Sequence, residues 1–270
     1  MEAIQLNEID FSKLEKAEKQ GSKSTVFVDG DNCYKILDDL TFSEKIDLYY
    51  KFQAMEKDNV EVDGIIFPKI LIKDSRFLKG YIMNTFPNSI NLYDYFTQDR
   101  YVDVYNILMA TKKASLIVRK AHEKGIILQD FSFDNILIND NFDIKICDID
   151  GCKYKHFQGP FISKITTNYY YYYMKKNPII NENLDNQSLL FSLLTTIYHK
   201  DIFEIKDHEE LSEKISTLKN LQSIIASLLK NPNTIVPYLD EIICDDDHYI
   251  IDRNKQVPFA KRLTKDYKIY

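Results

Sequence analysis

The sequence contains no long apolar run, few cysteines and no excess of positive charge. No segment approaches the roughly 18 consecutive apolar residues that a membrane-spanning helix needs. The first segment, MEAIQLNEIDFSKLEKAEKQ, carries acidic residues where a secretory signal carries basic ones. We therefore expect a soluble, cytoplasmic protein that has no membrane partner.

The cysteines and histidines show none of the spacings that a metal site or a disulfide scaffold requires. The chain has 4 cysteines, no two of which form a CxxC motif, and they are too sparse for a disulfide framework. The histidines after position 150 lack metal-ligand spacing, both among themselves and with the cysteines. We expect reduced, buried thiols and no zinc site.

The charge balance argues against a nucleic-acid partner. Lys and Arg number 35 and Asp and Glu 41, which gives a formal net charge of -6. Nonspecific binding of nucleic acid depends on clustered Lys and Arg, so a broad phosphate-binding face is not expected. Any anion that this chain binds must be held locally by a few side chains.

The first third of the sequence predicts a small sheet and one helix. Residues 11–37 are predicted to form a strand, a turn around Gly21 and two short strands that make a hairpin. Apolar residues at helical spacing predict a helix over residues 41–57. Two runs rich in β-branched and aromatic residues, 64–72 and 77–86, predict two further strands.

After Pro87 the pattern becomes helical. Apolar stripes with a helical period predict three helices, through Val104–Ala121, Leu184–Ile197 and Leu211–Leu229. The run Tyr169–Tyr173 is predicted to be half-extended and to pack against these helices. The whole chain, 44% hydrophobic over 270 residues, therefore predicts an α+β fold with enough apolar surface for one large domain or two small lobes.

The most informative segment is AHEKGIILQDFSFDNILINDNFDIKICDIDG, which predicts two small strands bearing loops. Asp130 lies five positions before Asn135, and Asp148 follows Asn135 by thirteen positions. Phosphoryl transfer from ATP needs a carboxylate near the attacking hydroxyl and hard oxygen ligands for magnesium. Asp130, Asn135 and Asp148 are residue types that suit this chemistry.

This spacing resembles that of the protein kinase superfamily, and the sequence DIDG resembles a divergent form found in some bacterial kinase-like proteins. The resemblance covers nearly the whole chain. It implies a bilobal protein-kinase-like fold, with a small β-rich N-lobe at residues 1–86 and a larger, mostly helical C-lobe at residues 87–270. It also implies that ATP and Mg²⁺ are bound.

The resemblance assigns roles to the residues of the loop segments. Asp130 would orient the substrate hydroxyl or accept its proton, Asn135 would bind one magnesium ion, and Asp148 would bridge magnesium and the nucleotide phosphates. Asp150 would add a second carboxylate near the metal. Asp185 matches the buried aspartate of the family that braces the catalytic-loop backbone, and His122 matches a structural histidine.

In the N-lobe, the resemblance implies a lysine that holds the α and β phosphates and a glutamate partner on the following helix. Lys35 matches the lysine, and we favour Glu44 over Glu56 as its partner. The nucleotide is expected near Met83–Pro87, between the lobes. The implied nucleotide-binding residues are Gly21, Val26, Lys35, Met83, Asn84 and Phe86.

Several positions depart from the family pattern. Only Gly21 stands where the family has three glycines, so contact between backbone amides and phosphate would be looser. Gln129 replaces an arginine that binds a phosphorylated loop in many kinases, which argues against switching by loop phosphorylation. Ser132 replaces a lysine that touches the γ phosphate, which favours slow catalysis or an unusual acceptor.

Three functions remain open. The preferred function is an ATP- and Mg²⁺-dependent protein kinase that transfers the γ-phosphate to a hydroxyl of a protein substrate. The second is a pseudokinase scaffold that binds nucleotide or a partner without catalysis, which the departures at Gln129 and Ser132 favour. The third is a small-molecule kinase of the antibiotic-kinase type, which the acidic run Asp240, Glu241, Asp245, Asp246 and Asp247 favours.

Overall fold

The computed structural model describes residues 1–17, 24–99, 101–159, 162–200, 202–205 and 209–252 of the chain. These residues form an α+β fold in which a sheet built from the N-terminal part precedes a mostly helical part. Gly21, around which a turn is predicted, lies outside the described residues. Within the described part, no helix combines the length and apolar character that crossing a bilayer requires.

The N-terminal sheet has six strands, with one helix inserted after the fourth. In chain order the elements are β1 Glu2–Gln5, β2 Glu15–Lys16, β3 Ser24–Asp29, β4 Asn32–Leu37, α1 Phe42–Lys57, β5 Pro68–Asp74 and β6 Phe77–Asn84. The spatial order is β1-β5-β6-β4-β3-β2, and only the β1–β5 pair is parallel. The predicted hairpin is confirmed as β3 and β4, whereas the strand predicted before it is only two residues long.

The two faces of this sheet are buried in different ways. Because side chains alternate along a strand, Ile36, Ile72 and Ile82 share the outer face, where they form a separate apolar cluster. Residues of the N-terminal segment cover that cluster, among them Leu6 and Phe11. The inner face belongs to a continuous core that extends through α1 into the helical part. Apolar residues thus pack on both faces of the sheet, and Lys35 on the inner face contacts Asp148.

Helix α1 begins and ends where its sequence signals place it. Thr41 is the N-cap, and its hydroxyl and backbone bond reciprocally with Glu44 in a capping box. The residues that face the interior are spaced by three or four positions, as in any helix packed on one side: Leu48, Lys51, Phe52 and Met55. The predicted helix is confirmed, and one of its four buried residues is a lysine.

The rest of the described chain is mainly helical, with three small sheets. Its elements are β7 Ser89–Asn91, α2 Leu92–Thr97, β8 Tyr101–Asp103, α3 Val104–Glu123, β9 Ile126–Ile127, β10 Ile136–Asn139, β11 Ile144–Ile146, β12 Lys153–Tyr154, α4 Lys164–Met174, α5 Glu182–Tyr198, α6 Glu209–Lys214, α7 Ser216–Leu228 and β13 Ile250–Asp252. Strand β10 lies between β11 and β7, while β9 pairs with β12 and β8 with β13. All pairs in these small sheets are antiparallel.

Two predictions about the helical part need correction. The third apolar stripe is divided between α6 and α7, and the break falls at the buried, extended residue Ile215. The tyrosine run is not half-extended but lies within α4. A helix turns Tyr169 and Tyr170 inward, where Tyr169 packs against Phe191 of α5 with ring centroids 4.6 Å apart. The two tyrosines that follow remain exposed.

Gly80 is needed for the close approach of β6 to β4. A Cβ at this position would lie 2.1 Å from the backbone oxygen of Lys35. We expect Gly80→Ala to lower the free energy of unfolding by about 3 kcal/mol, because the sheet must distort to relieve the overlap. Gly30→Ala in the β3–β4 turn is the control: its φ of +53° costs about 1 kcal/mol, but it has open space around it. If urea denaturation shows that both variants lose the same free energy of unfolding, the requirement for glycine at position 80 is contradicted.

Candidate active site

The loop between β9 and β10 fixes Asp130 and Asn135 relative to each other. Asn135 ends a short 3-10 helix, Phe133–Asn135, and its side-chain amide donates to the backbone oxygen of Asp130 at 2.7 Å. Ser132 caps this helix by accepting a hydrogen bond from the Asp134 backbone amide. The five-residue spacing in the sequence thus corresponds to one compact, hydrogen-bonded turn.

A buried carboxylate holds the start of this loop. Asp185 of α5 is completely buried and accepts from the backbone amides of Leu128 at 2.6 Å and Gln129 at 2.8 Å. His122 Nε2 lies 2.9 Å from the same carboxylate, and its Nδ1 lies 2.8 Å from the Tyr238 hydroxyl. The two ring nitrogens of His122 thus join the Asp185 carboxylate to the Tyr238 hydroxyl. The predicted bracing role of Asp185 and the structural role of His122 are confirmed.

Asp148 follows strand β11 and is held against the loop that carries Asn135. The Cys147 backbone amide donates to the Asn135 carbonyl at 3.0 Å. Asp148 itself has φ 63° and ψ 44°, a left-handed conformation, and is followed by the 3-10 helix Ile149–Gly151. A non-glycine residue there persists only when its surroundings enforce the conformation, and such residues cluster at functional sites. The β10–β11 hairpin therefore brings Asn135 and Asp148 together.

Lys35 joins the sheet to this loop. It lies on the central part of β4, opposite Val26 of β3 and Tyr81 of β6. Its ammonium nitrogen is 2.7 Å from Asp148 Oδ1 and 2.9 Å from Asp150 Oδ1. The Tyr81 hydroxyl donates to the same Asp150 oxygen at 3.1 Å. Lys35 is almost completely buried.

Three carboxylates, those of Asp130, Asp148 and Asp150, interact with the single ammonium of Lys35 and with one another, and this shifts their pKa values. Burial raises the pKa of Asp130 to about 6, and repulsion by Asp148 and Asp150 adds to the effect. Burial also raises the pKa of Asp148, which Lys35 opposes. Although burial disfavours an ionised Asp150, Lys35 holds its pKa below the usual value. Burial alone would lower the pKa of Lys35, yet Asp150 and Asp148 keep it well above the usual range.

This excess of negative charge fits a divalent cation. Mg²⁺ in nucleotide sites is held by one or two protein oxygens together with phosphates and water, so it needs no cage of several carboxylates. The described residues contain no cluster of three His, Cys, Asp or Glu side chains able to hold a metal ion. Asn135 and Asp148 supply an amide and a carboxylate, which are ligand types that Mg²⁺ prefers. The residues present therefore fit the ion.

The expected pair between Lys35 and a glutamate of α1 is not formed. The Glu44 carboxylate bonds to Thr41 at the N-cap, with Oε2 2.7 Å from the Thr41 backbone nitrogen and 2.6 Å from its hydroxyl. Glu56 forms an ion pair with the amino group of Met1. Both glutamates are thus engaged elsewhere, and Asp150 takes the place that the prediction gave to Glu44. Lys35 contacts the carboxylates of Asp148 and Asp150 in this structure, and the role of Glu44 as a catalytic residue stays a prediction.

Lys51 of α1 is a site residue that sequence reasoning missed. Its side chain is buried, and its ammonium donates to the backbone oxygens of Asp150 at 2.7 Å and Cys152 at 2.6 Å. A signal was present in the sequence, since Lys51 lies within the apolar stripe Leu48, Phe52 and Met55. A lysine at a core-facing helix position needs a polar partner in the interior.

The predicted nucleotide-binding residues are only partly brought together. Val26 and Met83 lie on the same face of the sheet as Lys35, as the register of β3, β4 and β6 requires. Asn84 is on the opposite face, where its side chain contacts Lys69. Phe86 lies beyond the end of β6, with the Lys145 ammonium 5.2 Å from its ring centroid. Gly21 lies outside the described residues.

Gln129 has a structural role in holding the segment that follows Asp148. Its buried side-chain amide donates to the Gly159 oxygen at 2.9 Å, and its backbone oxygen accepts from Ser163 at 3.1 Å. Gly159 packs so closely on Gly151 that a Cβ at position 159 would lie 1.6 Å from the Gly151 oxygen. A neutral side chain therefore holds the segment that follows Asp148, without a phosphate group.

Comparison with known proteins adds no family assignment. No protein-family model matches the chain, and no curated protein is significantly similar to it in sequence. The interpretation of the site therefore depends on its geometry and on the motif spacing in the sequence.

The two aspartates at positions 185 and 130 should respond oppositely to substitution. We expect Asp185→Ala to lower the free energy of unfolding by about 3 kcal/mol, because two buried backbone amides lose their acceptor. Asp130→Asn, measured at pH 8 without magnesium, should raise the free energy of unfolding by about 1 kcal/mol. Burial, with repulsion by Asp148 and Asp150, raises the pKa of Asp130 to about 6, so above that pH the ionised carboxylate disfavours the folded state in full, and the neutral amide removes this cost.

Urea denaturation of both variants beside the unmodified protein provides the measurement. Equal destabilisation by the two substitutions would contradict the assignment of Asp185 as a brace and Asp130 as a site residue.

Proposed function

We propose that this protein is an ATP- and Mg²⁺-dependent phosphotransferase of the protein-kinase type, which transfers the γ-phosphate to a hydroxyl of a protein. The proposal includes a bilobal kinase-like fold with lobes at residues 1–86 and 87–270 and nucleotide bound near Met83–Pro87. The main supporting observation is the convergence of Lys35, Asp130, Asn135 and Asp148, which come from three separate segments, at one place.

Each residue has a specific task in this proposal. Asp130, with a pKa of about 6, accepts the proton of the acceptor hydroxyl, since a general base works best when its pKa is near the ambient pH. Asn135 and Asp148 hold Mg²⁺, which neutralises charge on the phosphate oxygens when it is bound. Among the described residues, Asp148 and Asp150 use two of the three N–H donors of Lys35. The third donor suits a phosphate oxygen.

The acidic run near the C-terminus no longer favours a small cationic substrate. Asp240 and Glu241 form ion pairs with Arg119 at 2.7 Å and 2.8 Å. Asp247 caps α7 by accepting from the backbone amides of residues 216 and 217. Asp245 pairs with Lys112. Because these carboxylates stabilise the fold itself, we favour a protein acceptor over an antibiotic-type substrate.

Two features favour the pseudokinase scaffold as a second candidate. The Lys35 ammonium is almost fully buried between two carboxylates, which reduces the positive charge that it presents to a phosphate. Ser132, moreover, serves as a helix cap and adds no cation. A scaffold that binds nucleotide without transfer would be compatible with both features.

Substitution of the site carboxylates separates these functions. Asp148→Asn should abolish Mg²⁺-dependent ATP binding, because a neutral amide cannot offset the charge of the ion. Asp130→Asn should retain that binding and lose phosphate transfer by about 10²-fold or more, because only the general base is removed. Calorimetric titration with ATP, with and without Mg²⁺, measures the binding. Transfer is followed with labelled ATP, using the protein itself, casein and histones as acceptors.

Asp140→Asn is the matched control, since Asp140 is exposed in the turn between β10 and β11. It should leave both binding and transfer unchanged. Full transfer by Asp130→Asn would contradict the kinase mechanism. Nucleotide binding by the unmodified protein without any transfer would favour the scaffold.

A further inference from the structure

Lys51 connects helix α1 to the loop that follows Asp148. Its ammonium donates to two backbone oxygens on either side of Gly151, those of Asp150 and Cys152. The distances of 2.7 Å and 2.6 Å are those of strong, charge-assisted hydrogen bonds. Lys51 therefore clamps the loop across a single residue.

The contacts of Lys51 complete a set that holds Asp150 at both ends. The Asp150 carboxylate bonds to Lys35 and Tyr81, which lie on the sheet. Its backbone oxygen bonds to Lys51, which lies on α1. Asp148, two residues earlier, has the left-handed conformation that only well-determined surroundings maintain. The conformation of the metal-binding aspartate thus depends on contacts from two separate elements.

Stability alone does not account for a lysine at this position. Placing an ammonium group in the core is costly, and an apolar residue of similar size would match the stripe formed by Leu48, Phe52 and Met55. Burial indeed lowers the pKa of Lys51, although Asp150 and Asp47 oppose the change. Within the described part of the chain, the Lys51 ammonium hydrogen-bonds to loop backbone oxygens alone, and a requirement for one loop conformation explains such a buried charge better.

We propose that Lys51 is a positioning residue that holds the Asp148–Cys152 loop in its metal-binding conformation, so that helix α1 sets the affinity for Mg²⁺ and nucleotide. This inference rests on the proposed function for its metal and nucleotide. The resemblance implies that helix α1 supplies a carboxylate that pairs with Lys35. In the structure, the helix instead supplies a cation, and the loop supplies the carboxylate that pairs with Lys35. Displacement of α1 would then release the loop rather than the Lys35 ion pair.

The first test measures how well the backbone amides of the loop are protected when no metal is present. Hydrogen exchange of the apo protein should show faster exchange of the amides in residues 148–152 in Lys51→Met than in the unmodified protein. Lys51→Arg should restore slow exchange, because its guanidinium keeps the donors and the charge, and a cleft of about 220 Å³ beside Lys51 leaves room for it. Lys57→Met, an exposed lysine of the same helix, should match the unmodified protein.

The second test measures Mg²⁺-dependent ATP binding by calorimetry. Lys51→Met should need about 10- to 100-fold more Mg²⁺ than the unmodified protein, the usual loss when a group that orients a metal ligand is removed. Lys51→Arg should recover most of the affinity. If Lys51→Met does not fold, Lys51→Gln replaces it, because its amide keeps one donor without the charge.

The outcomes distinguish this inference from the proposed function. Unchanged loop exchange and unchanged Mg²⁺ dependence in Lys51→Met, with normal binding by the unmodified protein, would overturn the role of Lys51 and leave the proposed function intact. Absence of Mg²⁺-dependent ATP binding by the unmodified protein would instead overturn the proposed function and, with it, the effect of Lys51 on metal affinity. Faster loop exchange in Lys51→Met, together with slow exchange in Lys51→Arg, supports the clamp.

Discussion

The ion pairs of Lys35 with Asp148 and Asp150 connect the two parts of the chain that build the candidate site. The pair with Asp148 joins residues 113 positions apart, and the ammonium is shielded from water by the sheet and the loop. Removing one partner of such a buried pair leaves an uncompensated charge, so the strand and the loop must keep their mutual position. The position of Asp148 relative to the sheet, and thus the geometry of the site, depends on this contact.

Buried charged side chains also hold the backbone of each loop. Asp185 accepts the backbone amides at the start of the Asp130 loop, and Lys51 donates to the backbone oxygens after Asp148. In both places a charged side chain replaces a regular hydrogen-bond ladder and leaves the loop's own side chains available for chemistry. Burial raises the pKa of Asp130, and repulsion among the three carboxylates brought together here adds to that effect.

Much of the site could be predicted from residue types and spacing. Asp130, Asn135 and Asp148 lie within 19 residues of sequence, and local hairpin geometry brings them together. The resemblance to the kinase pattern also implied structural roles for Asp185 and His122, and both side chains are buried and hydrogen-bonded in the structure. These cases share a strong local pattern that restricts where the side chain can go.

The remaining features depend on contacts that no local pattern specifies. Glu44 has the right type for pairing with Lys35, but the first turn of α1 needs a capping carboxylate, and the sequence gives no means of ranking the two uses. The pairing of β1 with β5 is likewise a long-range choice. The tyrosine run was misread because consecutive aromatic residues favour strands locally, whereas packing of Tyr169 against Phe191 stabilises a helix. Tertiary contacts decided each of these features.

The central claim is that Lys35, Asn135 and Asp148 form a site for the phosphates and magnesium of ATP. A crystal structure with a nonhydrolysable ATP analogue and Mg²⁺ tests it most directly. The account predicts a metal ion bound by the side chains of Asn135 and Asp148, with a phosphate oxygen within hydrogen-bonding distance of the Lys35 ammonium. A nucleotide bound elsewhere, or a metal ion that contacts neither Asn135 nor Asp148, would contradict it.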